Sequence, residues 1–114
     1  MARLDIRQYP DPILREVCDR VDRFDADVER LARDMLETMY LAGGRGLAAP
    51  QVGIPLQLFV MDPGWKTGHQ TPYVCANPFV AALGDDMREC EEMCLSIPDQ
   101  PVMVRRPAMV MLGW

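Results

Sequence analysis

Two short segments combine residue types that could take part in chemistry. The first, residues 43–53, places three glycines and two alanines just ahead of Gln51. Small side chains let another backbone approach closely, and a carboxamide offers both a donor and an acceptor. Such a segment is suited to form one wall of a peptide-binding cleft. On composition alone, however, the favoured interpretation is a tight helix-to-strand connection in which the small residues only permit packing.

The second segment, residues 92–98, contains Cys94. A thiolate is a good metal ligand, but a free cysteine in a short strand is often a buried and inert core residue. His69, the only histidine, falls in the loop at residues 64–72, where an exposed histidine is ordinary. On a strand Cys90 would share a face with Cys94, yet a local site of these two with His69 lacks the repeated spacing of a zinc knuckle.

The elements that must position these segments begin with one helix, predicted at residues 26–42. Its apolar residues recur every three or four positions, as on one helix face. They are Val28, Leu31, Ala32, Met35, Leu36 and Met39. Asp25 is the predicted N-cap and Gly43 with Gly44 the stop. Nearer the start, Asp11 is predicted to cap a short helical turn that begins at Pro12.

Downstream, short apolar runs bounded by Pro, Gly, Asn or Asp predict strands. They lie at residues 56–61, 72–76, 79–82, 102–104 and 108–112. With no second long helical pattern between them, we expect one α+β domain over residues 1–114 with mainly antiparallel strands. The last strand candidate, from Ala108 to Leu112, presents an apolar edge that invites self-association or pairing with another segment.

The overall composition narrows the classes of partner. The 114 residues carry a formal net charge of −5, so we expect no nucleic-acid partner. The charged start does not resemble a signal peptide, and no apolar run reaches the roughly 20 residues of a membrane span. A cytosolic protein with reduced thiols at its four cysteines is the expectation.

The two segments together resemble the first two signature motifs of the peptide deformylase family. The pattern Gly-x-Gly-Leu-Ala-Ala-x-Gln is matched by residues 44–51, and Glu-Gly-Cys-Leu-Ser is matched at Glu92, Cys94, Leu95 and Ser96. Their order and spacing also fit, and the resemblance extends over essentially the whole chain. It implies a metal-dependent hydrolase that removes the N-formyl group from formyl-methionyl nascent proteins.

The resemblance also implies roles for particular residues. Cys94 would ligate a catalytic Fe²⁺ or Zn²⁺. Gln51 and the backbone N–H of Leu95 would donate hydrogen bonds to the formyl oxygen. Gly46 would pair with the extended peptide by strand addition, next to Gly44. Glu92 and Arg106 would form an ion pair that fixes the strand carrying the cysteine. Arg45 and Met93 differ from the residues usual in the family and would shape the substrate pocket.

The family's third motif, His-Glu-x-x-His, supplies two more metal ligands and the catalytic glutamate, and it does not occur in these 114 residues. We therefore expect residues 1–114 to be an incomplete, truncated deformylase domain. With one of three protein ligands present, we expect this 114-residue polypeptide to be inactive by itself. Two alternatives remain open. One is an inert paralogue that binds formylated or other extended peptides, and the other is one half of a split enzyme.

Overall fold

The computed structural model describes residues 3–114, and its one α-helix lies where the sequence predicts it. Helix α1 spans Ala26–Leu41. The Asp25 carboxylate accepts a hydrogen bond from the Val28 N–H at 3.0 Å, which satisfies one of the free amides of the first turn. Gly43 follows with a φ of +75°, a conformation that glycine adopts without strain. The predicted helix, cap and stop are confirmed to within one residue.

Helix α1 packs on a three-stranded antiparallel sheet in the order β1-β2-β3. The strands are β1 (Gly46–Ala48), β2 (Leu58–Met61) and β3 (Tyr73–Ala76). Met35 and Met39 from the helix join Leu47 and Val60 from the sheet in one core, with each methionine fully buried. Burial of such a side chain contributes about 1.5–3 kcal/mol, so this layer holds β1 firmly beside the helix end.

Four further strands form two antiparallel pairs. Strands β4 (Phe79–Leu83) and β7 (Val110–Gly113) pair with each other, as do β5 (Met87–Cys94) and β6 (Ile97–Pro107). The β5–β6 hairpin turns at Leu95 and Ser96, with Cys94 opposite Ile97. Its side chains are mostly exposed, in contrast to the core under α1. The α+β class with antiparallel strands is therefore confirmed.

The individual strand predictions needed correction. The run predicted at residues 102–104 is the middle of the 11-residue strand β6, and neither β1 nor the main part of β5 was among the predicted strands. Strand β5 is rich in charged side chains and lies on the surface, so it lacks the apolar run that marks a buried strand. Strand β1 has three residues, one of them glycine, and gains its structure from pairing with β2.

Short 3-10 turns connect these elements at Pro12–Arg15, Ala49–Val52 and Trp65–Thr67. The first is the predicted turn, and the Asp11 carboxylate accepts from the Ile13 N–H at 3.0 Å. No helix within residues 3–114 has the length and apolar character needed to cross a membrane.

Candidate functional site

A cleft of about 720 Å³ lies between the two segments singled out in the sequence. The backbone that leaves α1, residues 42–46, forms one wall, and the β5–β6 hairpin forms the other. Arg45 and Gly46 line the first wall, whereas Met93, Cys94 and Leu95 line the second. The fold therefore brings the two predicted motifs, about forty residues apart in sequence, to one site.

The two walls touch at Gly44. A Cβ atom at this position would lie 2.7 Å from Leu95 Cδ1 and 3.3 Å from Leu95 Cγ. The first distance is shorter than real Cβ contacts, so a side chain at this position would require Leu95 to shift, and the glycine lets the second wall approach. The small residues of the first motif were predicted to admit another backbone; here, the group that approaches Gly44 is the side chain of Leu95.

Gln51 has a fixed orientation in this site. Its Oε1 accepts from the Ala48 N–H at 2.9 Å, while Nε2 donates to Ser96 Oγ at 3.0 Å and toward Cys94 Sγ at 3.5 Å. Because the backbone donor can only meet the oxygen, the amide nitrogen must face the hairpin. Gln51 thus directs one N–H at Ser96 and the other toward Cys94, which lines the cleft.

Cys94 ends strand β5 with its side chain exposed to the cleft. The pairing of β5 with β6 shifts register between Glu92 and Cys94, and such a bulge re-aims the following side chains. The prediction that Cys90 and Cys94 share one face of the strand assumed regular alternation of side chains. The register shift between Glu92 and Cys94 breaks that alternation. All four cysteines are free thiols, and burial raises the pKa of the Cys75 thiol in the core.

Two residues of the amino-terminal segment brace both motifs. The Arg7 N–H donates to the Gln51 carbonyl at 2.6 Å, and the Tyr9 N–H donates to the Ser96 carbonyl at 2.8 Å. Ser96 is 3% exposed, so its backbone needs such a partner. The sequence offered no signal for these contacts beyond the ordered, proline-containing character of the segment.

Glu92, two residues before Cys94, forms a two-pronged ion pair with Arg106 between β5 and β6. Arg106 Nη2 donates to Glu92 Oε1 at 2.8 Å, and Arg106 Nε donates to the other carboxylate oxygen. The hydrogen bonds from Arg106 hold the pKa of the Glu92 carboxyl below its ordinary value, and Glu92 in turn raises the pKa of Arg106. A planar fork of this kind restricts the two strands more than a single contact would.

The described residues do not provide a complete metal site. Within residues 3–114, no three His, Cys, Asp or Glu side chains come together in a way that could hold an ion. His69 is exposed in the loop after β2, where its backbone N–H donates to the Gly64 carbonyl at 3.0 Å. Cys94 is therefore one metal-binding donor next to the Gln51 carboxamide and the Ser96 hydroxyl. This set of groups does not by itself fit Fe²⁺ or Zn²⁺, which need three or four protein ligands.

Comparison with known proteins accounts for the paired motifs. The profile of the polypeptide deformylase family matches residues 3–114. The chain belongs to this family. The peptide deformylase of Agrobacterium fabrum is 48% identical over 99 residues, which cover 87% of this chain and 58% of that protein. The chain thus spans less than two thirds of the length of this curated deformylase.

Solved deformylase structures share the fold. That of Thermotoga maritima superposes with a TM-score of 0.90 at 36% identity, covering 98% of this chain and 73% of that one. The deformylase structure of Legionella pneumophila superposes with a TM-score of 0.90 at 37% identity, covering 97% of this chain and 64% of that one. A metal cofactor is implied by membership of the deformylase family.

Proposed function

We propose that this chain supplies the peptide cleft and the cysteine ligand of a peptide deformylase, which hydrolyses the N-formyl group of formyl-methionyl peptides. The observation that carries the proposal is the orientation of Gln51, whose Nε2 lies 3.5 Å from Cys94 Sγ at the edge of the cleft. A fixed donor next to an exposed thiol suits a carbonyl that must be polarised beside a metal ligand. Since nascent proteins are the substrates, we expect the enzyme to act in the cytosol.

In this proposal the formyl oxygen receives hydrogen bonds from Gln51 Nε2 and from the backbone N–H of Leu95. This oxygen gains negative charge as the carbonyl carbon is attacked. The Gln51 N–H that points toward Cys94 Sγ would donate to it, while the other N–H stays on Ser96 Oγ. The Ala48 N–H and Ser96 Oγ support the role of Gln51, because they hold its carboxamide in one orientation. Loss of one such donor typically costs a few kcal/mol of transition-state stabilisation, about 10²- to 10³-fold in rate.

The peptide would bind in extended form along β1. Among the described strands β1 pairs only with β2, so the edge that includes Gly46 remains open. An added strand would gain backbone hydrogen bonds there, next to Gly44 and Arg45. Met93, which is 65% exposed on the opposite wall, is flexible and apolar enough to contact the methionine side chain of the substrate.

Cys94 would supply one ligand to Fe²⁺ or Zn²⁺, and the Glu92–Arg106 pair would hold its strand in place. The residues described here contain no further group of metal-binding side chains around it. We therefore expect the 114-residue polypeptide alone to release no formate, because a single thiolate binds such ions weakly.

The test uses the protein expressed from its own gene in its own source, with formate release from formyl-Met-Ala-Ser as the readout. Gln51→Ala should lower kcat/KM by about 10²-fold or more, and Cys94→Ala should abolish turnover. Gln57→Ala is the control, because it also removes a carboxamide, whose hydrogen bond to the Cys18 carbonyl at 3.2 Å lies away from the cleft. Cys90→Ala is the second control. Full activity in Cys94→Ala would refute the proposal.

A second candidate is a peptide-binding protein without hydrolytic activity. It is favoured by the combination of an open β1 edge with the single metal donor found among the described residues. Peptide binding that is weakened by Gln51→Ala, with no formate released by the protein from its own source, would support this candidate over the enzyme.

A further inference from the structure

Two adjacent backbone carbonyls on the first wall of the cleft are held from outside it. The Gly44 carbonyl accepts from the indole N–H of Trp65 at 2.9 Å, and the Arg45 carbonyl accepts from the Asp62 N–H at 2.9 Å. Both donors belong to the segment that follows β2. The Arg45–Asp62 bond extends the β1–β2 ladder by one pair, because Gly46 lies opposite Met61. The Trp65 bond joins residues 21 positions apart through a side chain, so it lies outside that ladder.

Trp65 and Asp62 are themselves held by Tyr40 near the end of α1. The Tyr40 and Trp65 rings meet edge to face, with centroids 5.2 Å apart and planes at 77°. The Tyr40 hydroxyl donates to Asp62 Oδ2 at 2.6 Å, and the Thr71 N–H donates to Oδ1 at 3.0 Å. Asp62 is fully buried, so both oxygens need these donors. Burial raises the pKa of the Tyr40 phenol, and its bond to Asp62 adds to the effect.

The wall needs this support because of its composition. Gly43 and Gly44 lie between α1 and β1, and Gly46 is the first residue of β1. Glycine loses more conformational freedom on ordering than any other residue. A wall that is ordered only when a peptide binds would spend part of the binding free energy on that ordering. The hydrogen bond from the Trp65 side chain to Gly44, next to the ladder bond at Arg45, lowers this cost before the peptide arrives.

We propose that Trp65 is a positioning residue, whose indole N–H orders the backbone of residues 44–46 and thereby strengthens peptide binding at the open edge of β1. The part that concerns peptide affinity rests on the proposed function, whereas the ordering of the backbone does not. Tyr40 and Asp62 act through the same contacts, and Trp65 itself need not touch the peptide.

The experiment compares Trp65→Phe with the wild-type chain. Phenylalanine keeps a ring against Tyr40 and removes the N–H donor together with part of the indole surface, a change in size that the Trp114 control shares. Trp114→Phe is the matched control, since Trp114 is 57% exposed and meets Tyr73 edge to face with centroids 6.4 Å apart. Amide hydrogen exchange by NMR reports on the wall, because the Gly44 N–H donates to the Met39 carbonyl at 2.9 Å and exchanges only when that contact opens. Affinity for formyl-Met-Ala-Ser is measured by titration.

In Trp65→Phe we expect exchange at residues 44–46 to accelerate and peptide affinity to fall by about three- to tenfold, the effect of one lost hydrogen bond. Exchange in β2 and β3 should stay unchanged, as should both readouts in Trp114→Phe. Unchanged exchange at residues 44–46, or faster exchange with unaltered affinity, would overturn the inference. If the wild-type chain binds no peptide, the proposed function fails, and the exchange comparison still decides whether Trp65 orders the wall.

A second measurement covers the case in which Trp65→Phe does not fold. In the wild-type chain the indole N–H of Trp65 should exchange more slowly than that of Trp114, because the Trp65 indole donates to the Gly44 carbonyl, whereas Trp114 is 57% exposed. Equal exchange rates for the two indoles would contradict the inference without any variant.

Discussion

At the scale of single residues, the site depends on close contacts between its two walls. Gly44 has no side chain, and Leu95 occupies the space that one would take. Gln51 is held at both ends of its carboxamide, by Ala48 on one side and by Ser96 and Cys94 on the other. Each of these residues therefore has little freedom to change without moving the opposite wall.

Gly44→Ala tests the contact between the walls. Its Cβ would lie 2.7 Å from Leu95 Cδ1, so the leucine must rotate away. Because Leu95 is only partly buried, we expect a loss of about 1 kcal/mol in the free energy of unfolding, at the low end for overpacking. Urea denaturation measures it. In a double-mutant cycle, Leu95→Ala should relieve part of the loss, and additive effects of the two substitutions would show that they do not meet.

At the scale of elements, the second wall depends on the β5–β6 hairpin. Its strands are largely exposed, and a two-stranded hairpin is marginally stable without further packing. The Glu92–Arg106 pair links the strands close to Cys94, and the backbone contact of Tyr9 with Ser96 fastens the turn. The position of the cysteine is therefore set by polar contacts more than by a buried core.

The pH dependence of the Glu92–Arg106 pair can be predicted in sign. Hydrogen bonds from Arg106 lower the pKa of Glu92 in the folded chain below its ordinary value of 4.5. The pair therefore stabilises the fold above pH 4.5, and this stabilisation is lost as pH falls through the lower pKa of the folded state. The stability difference between wild type and Glu92→Gln should shrink as pH is lowered from 7 through this range, as measured by urea denaturation. Glu91→Gln, which alters the neighbouring carboxylate outside this pair, is the control. A difference that grows on acidification would contradict the assignment.

At the scale of the whole molecule, burial is unevenly distributed. The core under α1 uses residues between Ala32 and Val60, whereas strands β4 to β7 leave many large apolar side chains more than a third exposed. These include Phe79, Val80, Leu83, Val102, Met103, Val110 and Met111. Apolar surface of this extent, beside unpaired strand edges, favours association.

We accordingly expect the purified 114-residue polypeptide to self-associate with increasing concentration. Val110→Lys, on the exposed face of β7, should shift the sedimentation-velocity distribution toward the monomer. Val17→Lys is a matched control, because Val17 is 94% exposed and lies outside the strands. A chain that stays monomeric at all concentrations, or a Val17→Lys variant that changes as much as Val110→Lys, would argue against β7 as the contact surface.

Local patterns in the sequence determined the helix, its Asp25 cap, the turn after Asp11 and the α+β class. They also marked both segments of the cleft. These features depend on neighbours within a few residues, where spacing and capping chemistry are readable directly. The short strand β1 and the polar strand β5 escaped prediction, because their structure comes from partners elsewhere in the chain.

Tertiary structure alone decided which groups meet in the cleft. Gln51 faces Ser96 from 45 residues away, and Trp65 reaches the Gly44 carbonyl from 21 residues away. A tryptophan in a loop after a strand carries no local sign that its N–H will support a distant glycine. Such contacts follow from the packing of α1 on the sheet and the return of the β5–β6 hairpin. Periodicity and composition do not encode them individually, because many alternative pairings satisfy the same local rules.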